Sequence, residues 1–237
     1  DLGLLNRVVI QNVQIKDRQK KDMLGISRFS VKIDIPSLFR GKIRISSVQL
    51  FGLDARLNRA HPKAPLNCQF LIDTFASKDT TKNEKSIDLR INSVLIRRGQ
   101  IHYDVLSESN TPRRFNPHHI GISELSATIS LKALQTDSLN AQIRRMSFNE
   151  QSGFQLKKFA LKATATPKGI HLHDLNLSLP ATTVNIDTFT VAGELTAPDF
   201  ISDTQTTYMG RLNASVTPSD IACFVPALQH FQDPVHI

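Results

Sequence analysis

The stretch that decides the fold runs from Leu24 to Arg59, LGISRFSVKIDIPSLFRGKIRISSVQLFGLDARLNR. Val31, Ile33 and Ile35 alternate with Lys32 and Asp34, the period-two pattern of a sheet with one wet face. Pro36 suits the first turn of a helix, where its missing N–H costs nothing. Gly41 suits the end of that turn, where a left-handed residue lets the chain reverse. Alternation resumes through Ile43 and Ile45. No nucleophile, metal cluster or phosphate-binding loop lies in this stretch. It describes a sheet with an oily face, and that face becomes the first candidate for function.

Working outward, the chain parses as strands over 5–16, 26–35, 42–58, 87–106, 119–132, 141–149, 154–166, 170–179, 183–195 and 206–217. Turn chemistry separates them at Asn149–Gly153, Pro167-Lys168-Gly169 and Asn110-Thr111-Pro112. Ser77–Ser86 is a wholly polar run that reads as a loop, and Ser107–Pro117 is a second one. No βαβ alternation is visible. Two helices are expected. One spans Asn67–Ala76, with Leu71, Ile72 and Phe75 on one face. The other is a broken amphipathic helix over Thr217–Phe231, capped by Thr217, with Pro218 in its first turn and Asp220 as a capping-box acid. Its stripe of Ile221, Phe224, Leu228 and Phe231 reads as a plug closing one end of the sheet.

A local motif recurs: an apolar residue, two mostly polar ones, then another apolar residue. It stands at Ile10–Val13, Ile26–Phe29, Ile45–Val48, Ile91–Val94, Ile122–Leu125, Leu172–Leu175 and Ile186–Phe189. Each instance switches the parity of the apolar positions, so a flat strand would turn its oily side outward there. A bulge or sharp bend restores it. The motif therefore predicts a curved, bulged sheet whose apolar side chains share one concave face. Candidates for that face are Ile33, Ile43, Ile45, Leu50, Leu53, Leu57, Ile91, Ile101 and Tyr103. The irregular spacing of the motifs excludes a strict solenoid period.

Composition narrows the function classes. At 237 residues the chain can bury roughly 70% of its unfolded surface, and 40% hydrophobic residues with a mean hydropathy of −0.19 fit a folded protein. No apolar run approaches the roughly 20 residues of a membrane-spanning helix. The chain begins at Asp1 without methionine and ends at Ile237 after an apolar segment, and it reads as part of a longer protein. A net charge of +8 and a pI near 9.7 raise the question of nucleic acid. The basic residues are dispersed, however, and with no tryptophan and two tyrosines there is little to stack bases on. Weak attraction to an anionic membrane surface fits better. Cys68 and Cys223 read as small buried hydrophobes, with a long-range disulfide as the alternative in an oxidising compartment.

Catalytic and cofactor signatures are missing from the sequence. His171 and His173, with Asp174, could share a strand face, but no third metal ligand is identifiable. His118–His119 is a loop pair with less support. No G-x-S-x-G elbow, dinucleotide fingerprint or P-loop occurs. Asp54, Asp73, Asp104 and Glu124 stand isolated. We therefore expect no enzyme activity, cofactor or metal.

The run from Val31 to Arg59 resembles the amino-terminal region of the AsmA-like (TamB) family. It shares with that family Ile35-Pro-Ser-Leu-Phe-Arg-Gly41, Lys42-Ile-Arg-Ile45, Val48, Leu50, Gly52 and Leu57-Asn-Arg59. Asn67–Asp73 resembles the segment that follows, and Leu5–Asp17, Ser86–Tyr103 and the closing PSDIACFVPAL fit the same style. The specific part covers about a third of the chain; over 124–217 only strand patterning is shared. The resemblance implies an all-β, mostly antiparallel "β-taco" with an apolar groove and one or two short helices, anchored in the inner membrane by an upstream helix and extending into the periplasm. It also implies a translocation-and-assembly role: phospholipid moved toward the outer membrane, or outer-membrane protein assembly supported, with a lipid and an assembly protein as partners. The corresponding organisation is a strand–turn–strand region over 1–76, a polar loop over 77–86, further sheet over 87–217, and a capping helix with the start of another repeat over 218–237. A purely structural or partner-docking periplasmic module is the competing expectation. A secreted carbohydrate-binding or hydrolytic β protein would need exposed aromatics or paired acids that the sequence scarcely offers.

Overall fold

A computed structural model describes residues 2–3, 6–39, 43–76, 87–135, 138–193 and 207–237. The chain is all-β. Its strands are β1 (Leu2–Gly3), β2 (Arg7–Lys16), β3 (Asp22–Ile33), β4 (Ile43–Arg59), β5 (Ile87–Val105), β6 (His119–Gln135), β7 (Ser138–Glu150), β8 (Gln155–Thr166), β9 (Gly169–Ser178), β10 (Thr183–Ala192), β11 (Thr207–Val216) and β12 (Val235–His236). They are hydrogen-bonded in chain order. Helices α1 (Ile35–Phe39) and α2 (Gln69–Ala76) fall on or inside the expected segments. At α1 the Ser37 hydroxyl donates to Asp34 Oδ2 at 2.5 Å, tying the residue before the helix to its first turn.

The described pairings are antiparallel except β4 with β5, which is parallel. A parallel pair cannot close through a tight turn, and the long connection that carries α2 supplies the crossover. Asn67 pins its start: its side-chain amide donates to Arg56 O at 2.9 Å, and its Oδ1 accepts from Asn58 N at 3.1 Å. The polar run 77–86 and Gly41 lie outside the described residues.

Two compact units emerge. Unit one comprises Asp1–Ser126 with Asn149–Gly153, and unit two comprises Ala127–Phe148 with Phe154–Ile237. The division falls inside β6 and β7, not at a loop. In unit one the core centres on Ile26, Leu53 and Ala55, with Val13, Leu24, Phe29, Leu50, Ile96 and Ile101 packed against them.

The parity switches have a specific backbone cause. Asn12, Arg98, Glu124 and Asp174 all have positive φ, between 52° and 54°, and Gly52 has φ 61°. Each is the third residue of a four-residue switch, and a left-handed residue inside a strand forms a bulge that turns the following side chains back to the original face. The remaining motifs lie at unpaired or shifted positions: Ser27 opposite Gly52, the β4–β5 register shift that contains Ile45 and Ile91, and the β10–β11 shift after Ile186.

One sequence expectation is corrected. Thr217–Phe231 is not an amphipathic helix but two 3-10 turns, Pro218–Ile221 and Pro226–His230, neither with a buried residue. The groups expected to cap a helix are used elsewhere. Thr217 Oγ1 donates to Ala181 O at 3.2 Å, and Asp220 Oδ2 accepts from Ala181 N at 2.9 Å. Pro226 prevents an α-helical continuation across the middle of the segment. The segment is thus stapled through polar groups to the β9–β10 connection.

Candidate functional site

The register of unit one stacks apolar residues into rows that cross several strands. Val8, Val31, Val48 and Val94 form one row, and Ile10, Phe29, Leu50 and Ile96 the next. Beyond the bend, Val13, Ile26 and Leu53 form a third row, and Ile15, Leu24, Ala55 and Ile101 a fourth. Paired positions point to the same side of a sheet, and alternate positions along a strand share that side. Residues from both sides of the bend, such as Phe29 and Ile26, join the same core cluster, so the switch preserves the face.

The candidates named from sequence are distributed as follows. Leu50, Leu53 and Ile101 meet in that cluster. Ile33 pairs with Ile45 at the far end of the face, where the extra residue Ser46 forms the bulge that keeps Ile45 and Val48 together. Leu57 pairs with Tyr103, whose ring lies 5.6 Å from the Arg59 guanidinium. Ile43 pairs through its backbone with Ile87, but its side chain and that of Ile91 lie outside the described residues. In the terminal segment Ile221 and Leu228 are half-buried. Phe224 packs edge-on against Phe154 at 5.3 Å although 46% exposed, and Phe231 is 61% exposed.

Sequence reading did not single out Val8 and Leu24 on β2 and β3, although it marked Val31 by alternation and Ile10, Val13, Ile26 and Phe29 by the motifs. It also missed two switches, Leu50–Leu53 and Ile96–Gly99. The signal was available: aligning the motif of β2 with that of β3 gives the observed register, with Asn12 opposite Ser27. Exposure grades across the face. Ile26, Leu53, Ala55 and Val31 are buried, whereas Ile10 on β2 is 48% exposed.

Titratable groups form smaller clusters. His119 is buried at the start of β6, with Nδ1 2.8 Å from Asp104 Oδ1 and Nε2 2.9 Å from Glu108 O. Its pKa is raised, first by the Asp104 hydrogen bond and then by the Glu108 carbonyl, against the opposing effect of burial. Nearby, the buried Glu150 carboxylate accepts from Gly121 N and from both the amide and the hydroxyl of Ser152. In unit two, Lys162 hydrogen-bonds Asp174 and lowers its pKa, and His171 bonds Thr190 Oγ1 at 3.1 Å. Among the described residues no three His, Cys, Asp or Glu side chains are grouped as a metal ion would need, and no helix is long and apolar enough to cross a membrane. Cys68 and Cys223 are half-buried free thiols.

No protein-family model and no curated protein matches the chain significantly.

Proposed function

We propose that this chain is a non-catalytic β module whose apolar sheet face accommodates lipid acyl chains. It would act as part of a periplasmic, inner-membrane-anchored bridge that moves phospholipid toward the outer membrane or supports outer-membrane protein assembly. The observation that carries the reading is the continuity of the aliphatic rows: two lines of bulges interrupt the strands, and the same face remains apolar across both. Such a surface stabilises acyl chains by about 25 cal/mol per Å² of apolar area removed from water, and the process requires no reacting group. The resemblance of Val31–Arg59 to the AsmA-like family supports the same assignment and supplies its location and partners.

Burial of Ile26, Leu53 and Ala55 by their own neighbours favours a second reading, a structural or partner-docking module that carries no lipid. Mass spectrometry of organic extracts of the purified chain separates the two. The lipid reading expects co-purified phospholipid that is lost from Ile45→Glu while circular dichroism is unchanged. Equal lipid content in the folded variant, or none in either protein, supports the structural reading.

A further inference from the structure

We propose that the recess where β3, β4 and β5 bend together seats a phosphate group, gripped by Arg28 and Arg98. The recess has a volume of about 570 Å³ and is lined by Ser27, Arg28, Phe51, Gly52 and Arg98. Register explains the gathering. Arg28 pairs with Phe51 across β3 and β4, and the next row brings Ser27 opposite Gly52, whose β5 neighbour is the left-handed Arg98. These residues lie inside the parity switches, so they project away from the aliphatic rows. The inference therefore stands whether or not those rows hold acyl chains.

The chemistry is one-sided. Arg28, Arg98 and Ser27 line the recess, and no carboxylate residue does. Two nearby acids have other partners: Asp54 pairs with Arg56 at 3.0 Å, and Glu124 accepts from Asn149 at 2.8 Å. Among the described residues neither Arg28 nor Arg98 has an ion-pair partner. The Arg28 guanidinium sits 5.9 Å from the centre of the Phe51 ring, which orients it and gives the recess an apolar wall. Gly52 keeps the floor open, because a Cβ there would lie 2.4 Å from Ser27 Oγ. Planar guanidinium forks match phosphate oxygens in pairs, so a phosphate ester fits this donor set better than a halide or a lone carboxylate. The phosphate could belong to a lipid headgroup or be free in solution.

The test titrates the 237-residue chain with inorganic phosphate by calorimetry, and with phosphatidylcholine vesicles with or without phosphatidylglycerol by co-sedimentation. The variant is Arg28→Gln/Arg98→Gln. Its charge-matched control is Arg144→Gln/Arg145→Gln, which removes two exposed arginines of β7. We expect the first variant to lose affinity by about tenfold or more, the control to stay near wild type, and added salt to weaken binding. Arg28→Lys/Arg98→Lys should retain part of it, which also controls for folding. Saturable binding of free phosphate identifies a soluble ligand; binding of phosphatidylglycerol vesicles alone identifies a headgroup. Equal weakening by both double glutamine variants, or no binding of either probe, overturns the proposal.

Discussion

The two units solve the same problem, keeping an apolar face continuous through a bend, in different ways. In unit one β2, β3, β4 and β5 bend at one line, and the register is the same on both sides of it. Each strand contributes its own two-residue bulge, so large aliphatics remain opposite large aliphatics. In unit two β9 and β10 bend together at Asp174 without losing register, but the flanking pairings slip by one residue, β8 at Ala160/Lys162 and β11 at Ile186/Phe189. The outer members of one row are correspondingly small, Ala163 and Gly210 flanking Leu172 and Phe189, and in the next row Ala165 edges Ile170 and Val191, with Tyr208 at the other end. A concerted bend carries bulky side chains around the corner; a staggered one requires residues that fit wherever the neighbours land.

The largest expected difference lies in the cores. Leu53→Ala removes a buried side chain from the central row of unit one and should cost about 2–5 kcal/mol. Leu172→Ala, at a half-buried site in unit two, should cost about 1–2 kcal/mol. Urea denaturation followed by a probe in each unit measures both. Comparable losses would break the comparison, because they would mean that the concerted bend gives no tighter core.

The bends themselves give a finer contrast. Gly52→Ala would place a methyl 2.4 Å from Ser27 Oγ on a backbone with φ of 61°, and we expect a loss of about 1–3 kcal/mol. Gly210→Ala meets the Phe189 ring at 2.6 Å without a left-handed backbone, so it should cost less than Gly52→Ala. Adding Ser27→Gly to Gly52→Ala should recover only the steric part. Full recovery would show that the dihedral angle contributes nothing to the bend.

Much of this was legible in the sequence because period-two alternation and its interruptions are local. Among the described residues ten of the twelve strands and α2 fell within a few residues of their expected bounds, and all seven motifs lie at real irregularities. What failed was non-local. Nothing in Lys42–Asn58 or Ile87–Leu106 distinguishes a parallel from an antiparallel partner; that choice follows from the length of the α2 connection. Leu50–Leu53 was hidden because Phe51 occupies a polar slot, and Ile96–Gly99 because Gly99 ends it. A Cβ on Gly99 would lie 3.3 Å from Leu125 Cβ, so that slot is too narrow for an apolar side chain. Thr217 and Asp220 carry the letters of a helix cap, but the β9–β10 connection competes for the same atoms and wins.

That competition is itself testable. Asp220→Asn weakens the charge-assisted bond to Ala181 N and should cost about 1 kcal/mol, confined to unit two. Hydrogen exchange at Ala181 should quicken while unit one is unaffected. Unchanged protection at Ala181 would show that the reciprocal contacts of Thr182 and Thr217, at 3.0 and 3.3 Å, hold the segment alone.

The smallest effect is the sharpest discriminator, because the units should respond to pH with opposite sign. Both partners of the His119 ring are acceptors, a carboxylate and a carbonyl, so only the doubly protonated ring satisfies both. Its folded pKa is raised above 6.5. The stabilisation is therefore complete below about 6.5 and disappears as pH rises through the higher folded value. The surrounding titratable groups are Asp104, Glu108 and His118, the last 3.9 Å from the Glu108 carboxylate. Asp174 runs the other way: Lys162 lowers its pKa below 3.8, so its contribution is present above that value and is lost as pH falls through the depressed one. Both sides of that pair are more than half exposed, which keeps its effect small and salt-sensitive. Amide exchange measured unit by unit should show unit one loosening as pH rises above 6.5, through the raised folded pKa of His119, and unit two in acid. His119→Gln should abolish the first response and Asp174→Asn the second. If His119 titrates at or below 6.5 by NMR, or if both units loosen in the same direction, the imidazolium is not the clamp that joins β5, its following loop and β6.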